Sequence, residues 1–156
     1  YRRYRTQLAP TSGAMGYGIP AAIAARATYP NRIVVGFAGD GGAMMSGQEF
    51  AAAVQHGVDP VIIIINNNMY GTIRMHQDRD YPGRDVATEL SNPDFAKWSE
   101  SFGGFGEVVE RTEDFAPAFE RAIGAGKIAL LELRIDPDMI STRTTLKALR
   151  ELSNKN

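Results

Sequence analysis

The fold is decided by two stretches, IVVGFAGDG at residues 33–41 and VIIIINN at residues 61–67. Each apolar run, 33–38 or 61–65, ends in a short polar motif, a pattern typical of buried parallel strands. Because the carboxyl ends of neighbouring parallel strands meet at one sheet edge, we expect Asp40 and Asn67 to lie close together. Carboxylate and amide oxygens suit Mg²⁺, and the adjacent glycines let backbone N–H groups approach an anion. The two stretches therefore predict a magnesium–diphosphate site.

Helical and strand patterns alternate along the rest of the chain. The remaining strands are predicted at 107–110 and 128–135, and helices at 20–28 and 113–123. This alternation predicts an α/β fold with a doubly wound, mainly parallel sheet and helices on both faces.

Local signals refine these boundaries. Ser46 and Glu49 fit a capping box at a helix start, Asn92-Pro93 starts another helix, and Ser141 is a candidate cap for a terminal helix. Residues 72–89 carry many charges and little apolar periodicity, and we predict a loop there.

Composition describes an ordinary globular domain. The 156 residues are 44% hydrophobic and 22% charged, with a formal net charge of −1 and no cysteine. This balance favours neither a nucleic-acid nor a membrane partner, and it excludes disulfides and thiol catalysis. Arginines at positions 2, 3 and 5 fit a solvated connection better than a nucleic-acid arm. We expect one cytoplasmic domain over residues 1–156.

The order and spacing of the motifs resemble a known signature. The matching elements, in chain order, are Gly39-Asp40-Gly41, Gln48-Glu49-Phe50, Pro60, Asn66-Asn67 and Tyr70-Gly71. They resemble the diphosphate-binding signature of thiamine diphosphate enzymes, a superfamily that includes acetolactate synthase, pyruvate decarboxylase and benzoylformate decarboxylase. The resemblance extends from about residue 12 to residue 136 and concerns only the last of three domains. It implies a C-terminal diphosphate-binding domain that is a fragment of a longer enzyme.

This resemblance implies a set of ligands for the two cofactors, thiamine diphosphate and Mg²⁺. The side chains of Asp40 and Asn67 and the backbone carbonyl of Met69 would hold the metal. Residues around the diphosphate would be Gly39, Gly41, Gly42, Ala43, Tyr70, Gly71 and Thr72. Alternatively, Asp40 only stabilises a turn and the asparagine pair only ends a strand.

The segment before the first helix is similar to the part of the superfamily that supports the bent cofactor. Met15 falls where a bulky apolar residue separates the two rings, and the Gly13 carbonyl falls where the pyrimidine amino group donates a hydrogen bond. The less favoured alternative is that Met15 is an ordinary core methionine. Residues 16–21, GYGIPA, also match the G-x-G-x-x-A motif of dinucleotide-binding domains, but residues 7–12 do not make a convincing strand before it.

The resemblance also bears on the reaction. It implies a small 2-oxo acid substrate, decarboxylation or carboligation, and a homodimer or homotetramer. The activating glutamate of the superfamily comes from another domain, so no catalytic residue is predicted in this chain. Ile73 stands where pyruvate decarboxylases have a proton-transferring glutamate, and an apolar residue at this position is similar to acetolactate synthases. Those enzymes, however, have a substrate-selecting tryptophan where this chain has His76.

The roles of several nearby residues are left open. Ile73 and His76 are candidate substrate contacts, and Arg74 and Gln77 either meet an acidic substrate or are solvated. His56 is expected to be a packed or surface residue. Two other classes of function compete with the cofactor domain: a non-catalytic assembly domain with the same fold, and a dinucleotide-binding domain.

Overall fold

Four parallel strands form one sheet: β1 (Val35–Gly39), β2 (Val61–Asn66), β3 (Phe105–Val109) and β4 (Ala129–Arg134). The computed structural model describes residues 3–141 and 143–153, with only the backbone of the last, so positions 1 and 2 of the arginine-rich start lie outside it. The strand order is β1-β2-β4-β3, and all three neighbouring pairs are parallel. Gly39 pairs with Ile65, so β1 and β2 end at the same level of the sheet.

Helices cover both faces of the sheet. They are α1 (Gly18–Thr28), α2 (Asp40–Ser46), α3 (Phe50–Gln55), α4 (Gly71–Asp80), α5 (Phe95–Ser101), α6 (Thr112–Gly124) and α7 (Leu146–Ser153). Residues from α1, α2, α3 and α5 pack with Ile62, Ile64 and Leu130 on one face. Ala118 and Ala122 of α6 pack with Ile63 and Leu131 on the other. The doubly wound α/β prediction is confirmed.

The apolar runs form the two inner strands. In β2 and β4, residues 61–64 and 129–132 are all buried, because helices cover both faces of these strands. Burying each isoleucine or leucine side chain contributes about 1.5–3 kcal/mol. One buried position is charged: Glu132 sits in the middle of β4 with 1% of its surface exposed.

The predicted capping box at Ser46 is wrong. The chain turns helical directly after β1, so α2 begins at Asp40 and Ser46 is its last residue. The Ser46 hydroxyl instead donates to the Gly16 carbonyl oxygen at 2.7 Å, which ties α2 to the segment before α1.

The predicted loop at 72–89 is wrong over its first half, where α4 forms. This helix lacks an apolar stripe because charged groups anchor it. Asp78 is fully buried and accepts hydrogen bonds from Arg74 within α4 and from Arg150 of α7. A helix held by ion pairs carries little hydrophobic periodicity.

Two predicted helix starts move by a few residues. Helix α5 begins at Phe95 and is capped by Asp94, whose Oδ1 accepts a hydrogen bond from the Lys97 N–H at 3.0 Å. This bond lowers the pKa of Asp94. Ser141 does not cap α7; the Thr145 hydroxyl accepts from the Ala148 N–H at 3.1 Å instead. Within residues 3–141 and 143–153, no helix has the length and apolarity needed to cross a membrane.

Candidate functional site

Asp40 is a buried carboxylate at the carboxyl end of β1. Its side chain is only 2% exposed. Its Oδ1 atom accepts from the Gly41 N–H at 2.9 Å, and its Oδ2 atom accepts from the Asn92 amide at 2.7 Å. No lysine, arginine or histidine in the described part of the chain forms an ion pair with it. Both visible donors are neutral, so the protein leaves the negative charge of Asp40 uncompensated.

Three consecutive asparagines, at the last position of β2 and the two positions after it, have different roles. Asn66 is buried and turns inward: its Nδ2 donates to Glu132 Oε1 at 2.8 Å, and its Oδ1 accepts from the Asn68 N–H at 3.0 Å. Asn67 turns the other way, towards the open side, and its Oδ1 accepts only a long bond of 3.3 Å from the Met69 N–H. Asn68 adopts φ +57°, a left-handed conformation that asparagine tolerates.

Sequence reasoning missed two members of this site, Asn92 and Glu132. The Asn92 amide donates to Asp40, to Asn66 and, at 3.4 Å, to the Asn68 side chain. Glu132 accepts from Asn66, from the Phe95 N–H at 3.1 Å and from Arg134 at 3.0 Å. A charged residue inside the apolar run 128–133 was the available signal for Glu132. Asn92 carried none beyond its place before a helix.

A cleft of about 1330 Å³ opens beside these strand ends. It is lined by the three predicted metal ligands, Asp40, Asn67 and Met69, and by most of the predicted cofactor contacts: Gly13, Met15, Gly39, Gly41, Gly42, Tyr70, Gly71 and Thr72. Ala43 is the exception, because its side chain is fully buried in the core below α2. The structure brings the predicted residues to one cleft, and their roles as ligands stay predictions.

Two glycines are required by close approaches at this cleft. A Cβ atom on Gly41 would lie 2.4 Å from the Tyr70 ring, and one on Gly71 would lie 2.8 Å from the Asn67 amide nitrogen. Both distances are far below a van der Waals contact. Gly39 and Gly42 meet no such crowding, so their backbone stays accessible from the cleft.

The segment before α1 forms a second wall of the cleft. Met15 is 48% exposed, so it is not the core methionine of the alternative interpretation. Gly13 adopts φ +67° in a turn closed by its N–H and the Pro10 carbonyl oxygen at 3.2 Å. No strand precedes GYGIPA among the described residues, which removes the structural context that a dinucleotide-binding motif needs.

The candidate residues of α4 and the histidine after α3 differ in their surroundings. Ile73 lines the cleft, whereas His76 is exposed farther along the helix and does not. Arg74 pairs with Asp85 at 2.9 Å as well as with Asp78, and the Gln77 amide bonds both backbone groups of Val86. Arg74 and Gln77 are therefore occupied within the fold, which matches neither interpretation left open. His56 lies exposed at the end of α3.

The donor set fits Mg²⁺ bound together with a diphosphate. One buried carboxylate, one amide oxygen and one backbone carbonyl are hard oxygen donors, and Mg²⁺ fills its remaining positions with phosphate oxygens and water. No group of three histidine, cysteine, aspartate or glutamate side chains capable of holding a metal occurs in the described chain. A metal held by these three donors would need phosphate oxygens or water to complete its coordination.

Comparisons with known proteins agree with this geometry. Residues 1–133 match the family described as thiamine pyrophosphate enzyme, C-terminal TPP binding domain. The chain is 34% identical over 127 residues to the acetolactate synthase large subunit of Haemophilus influenzae, covering 80% of this chain and 22% of that protein. It is 34% identical over 134 residues to the sulfoacetaldehyde acetyltransferase of Alcaligenes xylosoxydans xylosoxydans, covering 83% of this chain and 22% of that protein.

The chain is also similar to a solved structure of a thiamine diphosphate-dependent enzyme. The thiamine diphosphate-dependent 4-hydroxybenzoylformate decarboxylase of Rhodococcus jostii RHA1 matches with a TM-score of 0.76 and 35% identity, over 81% of this chain and 24% of that one. The chain therefore spans less than a quarter of the length of these relatives.

Proposed function

The chain belongs to the family of C-terminal thiamine pyrophosphate-binding domains, and on this premise we propose that its cleft binds thiamine diphosphate through Mg²⁺. The observation that carries the proposal is Asp40, a buried carboxylate that meets only neutral donors beside the cleft-facing Asn67. A buried charge is costly unless a counter-charge neutralises it. A divalent cation supplies that counter-charge, with the Asn67 amide oxygen and the Met69 carbonyl as further ligands.

The diphosphate belongs at the glycine-rich end of β1. Gly39, Gly41 and Gly42 carry no side chains that would fill this end of the cleft, and the first N–H groups of a helix lack intrahelical partners. Anions are favoured at such a helix start. On the opposite wall, Met15 would pack between the two rings as a flexible apolar wedge.

We further propose that the parent enzyme decarboxylates or ligates a 2-oxo acid. Bound thiamine diphosphate supplies a nucleophilic carbon and an electron sink for such chemistry. This chain contributes the metal ligands, the diphosphate cradle and one wall. Ile73 lines the cleft as an apolar residue that moves no proton, and the named relatives include an acetolactate synthase and a decarboxylase.

A homo-oligomer is part of the proposal. Phe37 in the edge strand β1 and Ile33 just before it are exposed, and so are Met44 and Met45 on α2. Exposed apolar patches often mark surfaces that another chain covers. The competing assembly domain without cofactor would need the same surface but no uncompensated carboxylate in the cleft.

The experiment is a thermal or urea unfolding titration with thiamine diphosphate and Mg²⁺. At a hundred times the Kd, ligand adds about 2.7 kcal/mol to the free energy of unfolding. Asp40→Ala removes this gain, whereas the control Asp80→Ala, which removes an exposed carboxylate at the end of α4, keeps it. An Asp40→Ala variant that gains as much as the parent would refute the metal assignment.

A further inference from the structure

The Asn92 side chain joins both strand ends at the proposed metal site. Its Nδ2 atom lies 2.7 Å from Asp40 Oδ2 and 3.0 Å from Asn66 Oδ1. These partners are 52 and 26 residues away in the sequence. One amide group, just before α5, therefore fixes the relative position of β1 and β2 at their carboxyl ends.

The orientation and the neutrality of this amide both matter. Three acceptor oxygens surround Nδ2, from Asp40, Asn66 and Asn68, so a flipped amide would place its own oxygen against them. A lysine here would neutralise Asp40 and compete with a metal, and an aspartate would repel it. Asparagine fixes the Asp40 carboxylate while its negative charge stays available.

Glu132 extends this hydrogen-bond network. One of its carboxylate oxygens accepts from the Asn66 Nδ2, so the Asn66 Oδ1 must point towards Asn92. The other accepts from the Phe95 N–H, the first residue of α5, and thereby holds the segment that carries Asn92. Asp40, Asn66 and Glu132 are buried and Asn92 is partly buried, and hydrogen bonds in such a low-dielectric network strengthen and rigidify one another.

We propose that Asn92, supported by Glu132 through Asn66, is a positioning residue for the metal. It holds the Asp40 carboxylate in one rotamer and shapes the turn that carries Asn67. This inference rests on the proposed function, because it concerns the same metal. Groups that orient metal ligands typically contribute about 10–100-fold to metal affinity.

The choice of metal ion distinguishes positioning from general stability. Mg²⁺ requires near-octahedral ligands at about 2.0–2.1 Å, whereas Ca²⁺ accepts irregular geometry at about 2.3–2.6 Å. Removal of the Asn92 amide loosens the metal ligands. The affinity for Mg²⁺ should therefore fall more than the affinity for Ca²⁺. A variant that only destabilises the fold would leave the ratio of the two affinities unchanged.

The test compares Asn92→Leu with the parent in the whole chain, with thiamine diphosphate present. Titration calorimetry gives the affinities for Mg²⁺ and for Ca²⁺ separately. We expect Mg²⁺ to bind about 10–100-fold more weakly, with a smaller loss for Ca²⁺, so that the affinity ratio falls about tenfold. The matched control is Ser99→Ala in α5, which removes a part-buried bond of 2.8 Å to the Phe105 carbonyl oxygen, at a residue that does not line the cleft, and should keep the ratio of the Mg²⁺ and Ca²⁺ affinities.

Each outcome decides between the two proposals. A folded Asn92→Leu variant with an unchanged ratio overturns the inference alone. If circular dichroism finds that variant unfolded, Asn92→Ser, which is smaller and polar, undergoes the same titration with the same expected fall. A parent that binds no Mg²⁺ with thiamine diphosphate overturns the proposed function, and the inference with it.

Discussion

Two buried aspartates in this domain have opposite surroundings. Asp78 in α4 is fully buried and meets two guanidinium groups, from Arg74 and from Arg150, with the Arg150 contacts at 2.8 and 3.1 Å. Asp40 at the end of β1 is buried almost as completely, yet its partners are a backbone N–H and a neutral amide. The charge of Asp78 is neutralised within the fold, and that of Asp40 is not.

Under the proposed function, this difference would separate a structural carboxylate from a metal-binding one. Around Asp78 the ion pairs join α4 to α7 and leave no need for a ligand. Around Asp40 the protein supplies orientation without neutralisation, an arrangement that costs stability in the absence of a cation. Burial alone would not have distinguished the two residues; the charge of their partners does.

Removal of Asp78 tests the structural half of the comparison and should have the largest effect. Asp78→Ala removes the buried partner that Arg74 and Arg150 share, although Asp85 remains 2.9 Å from Arg74 and 3.9 Å from Arg150, and it should lower the free energy of unfolding by about 3 kcal/mol. Urea unfolding monitored by circular dichroism measures it, with Asp80→Ala as the control. A loss below about 1 kcal/mol would mean that the pairs behave as ordinary surface bridges.

Removal of the Asp40 charge tests the other half. In buffer without divalent metal, Asp40→Asn should change the free energy of unfolding by less than about 1 kcal/mol, because relief of a buried charge offsets weaker hydrogen bonds. The same urea experiment, with chelator present, measures the change. A loss of 2 kcal/mol or more, on the order of a broken buried pair, would place Asp40 with Asp78 as a structural residue.

A third aspartate, Asp59, extends the comparison to the surface and should have the smallest effect. Arg26 donates to it at 2.6 Å, and this bond lowers the Asp59 pKa. Because the folded-state pKa is the lower one, the stabilisation is present above the usual aspartate pKa of about 4 and is lost as the pH falls through the folded value. Asp59→Asn should cost less than about 1 kcal/mol at pH 7. Urea unfolding of the parent and of Asp59→Asn at pH 7 and at pH 3 checks this. The free energies of unfolding of the two proteins should differ less at pH 3, and a larger difference at pH 3 would contradict the prediction.

Local patterns were enough to predict the sheet and the location of the site. The run 61–65 is apolar because helices cover β2 on both faces, whereas the run 33–38 leads into the edge strand β1 and leaves Ile33 and Phe37 exposed. Asp40 and Asn67 lie two residues after these runs in the sequence. Parallel pairing then brings the two strand ends together, as the register of Gly39 with Ile65 shows. The strands and the motifs that follow them can be recognised from neighbouring residues in the sequence. Their meeting at one edge follows from the general rule that the carboxyl ends of parallel strands lie side by side.

Features that depend on distant partners could not be predicted. Helix α4 forms although its sequence is charged, because Arg150 lies 72 residues beyond Asp78. The Asn66 contact to Glu132 spans 66 residues, and nothing near either residue indicates the other. Ser46 stands before a helical turn at residues 47–49, as the capping-box pattern predicts, but its side chain makes no cap bond because its hydroxyl donates to the distant Gly16 carbonyl oxygen.

The contact between Gly41 and the Tyr70 ring has a consequence for how such domains can diverge. Because a Cβ at position 41 would lie 2.4 Å from that ring, any side chain at position 41 requires a smaller residue at position 70. A smaller residue at position 70 meets no such clash with Gly41, so a mutational path that changes both positions passes through position 70 first. In engineered libraries the pair should therefore be varied jointly, as a single unit of design.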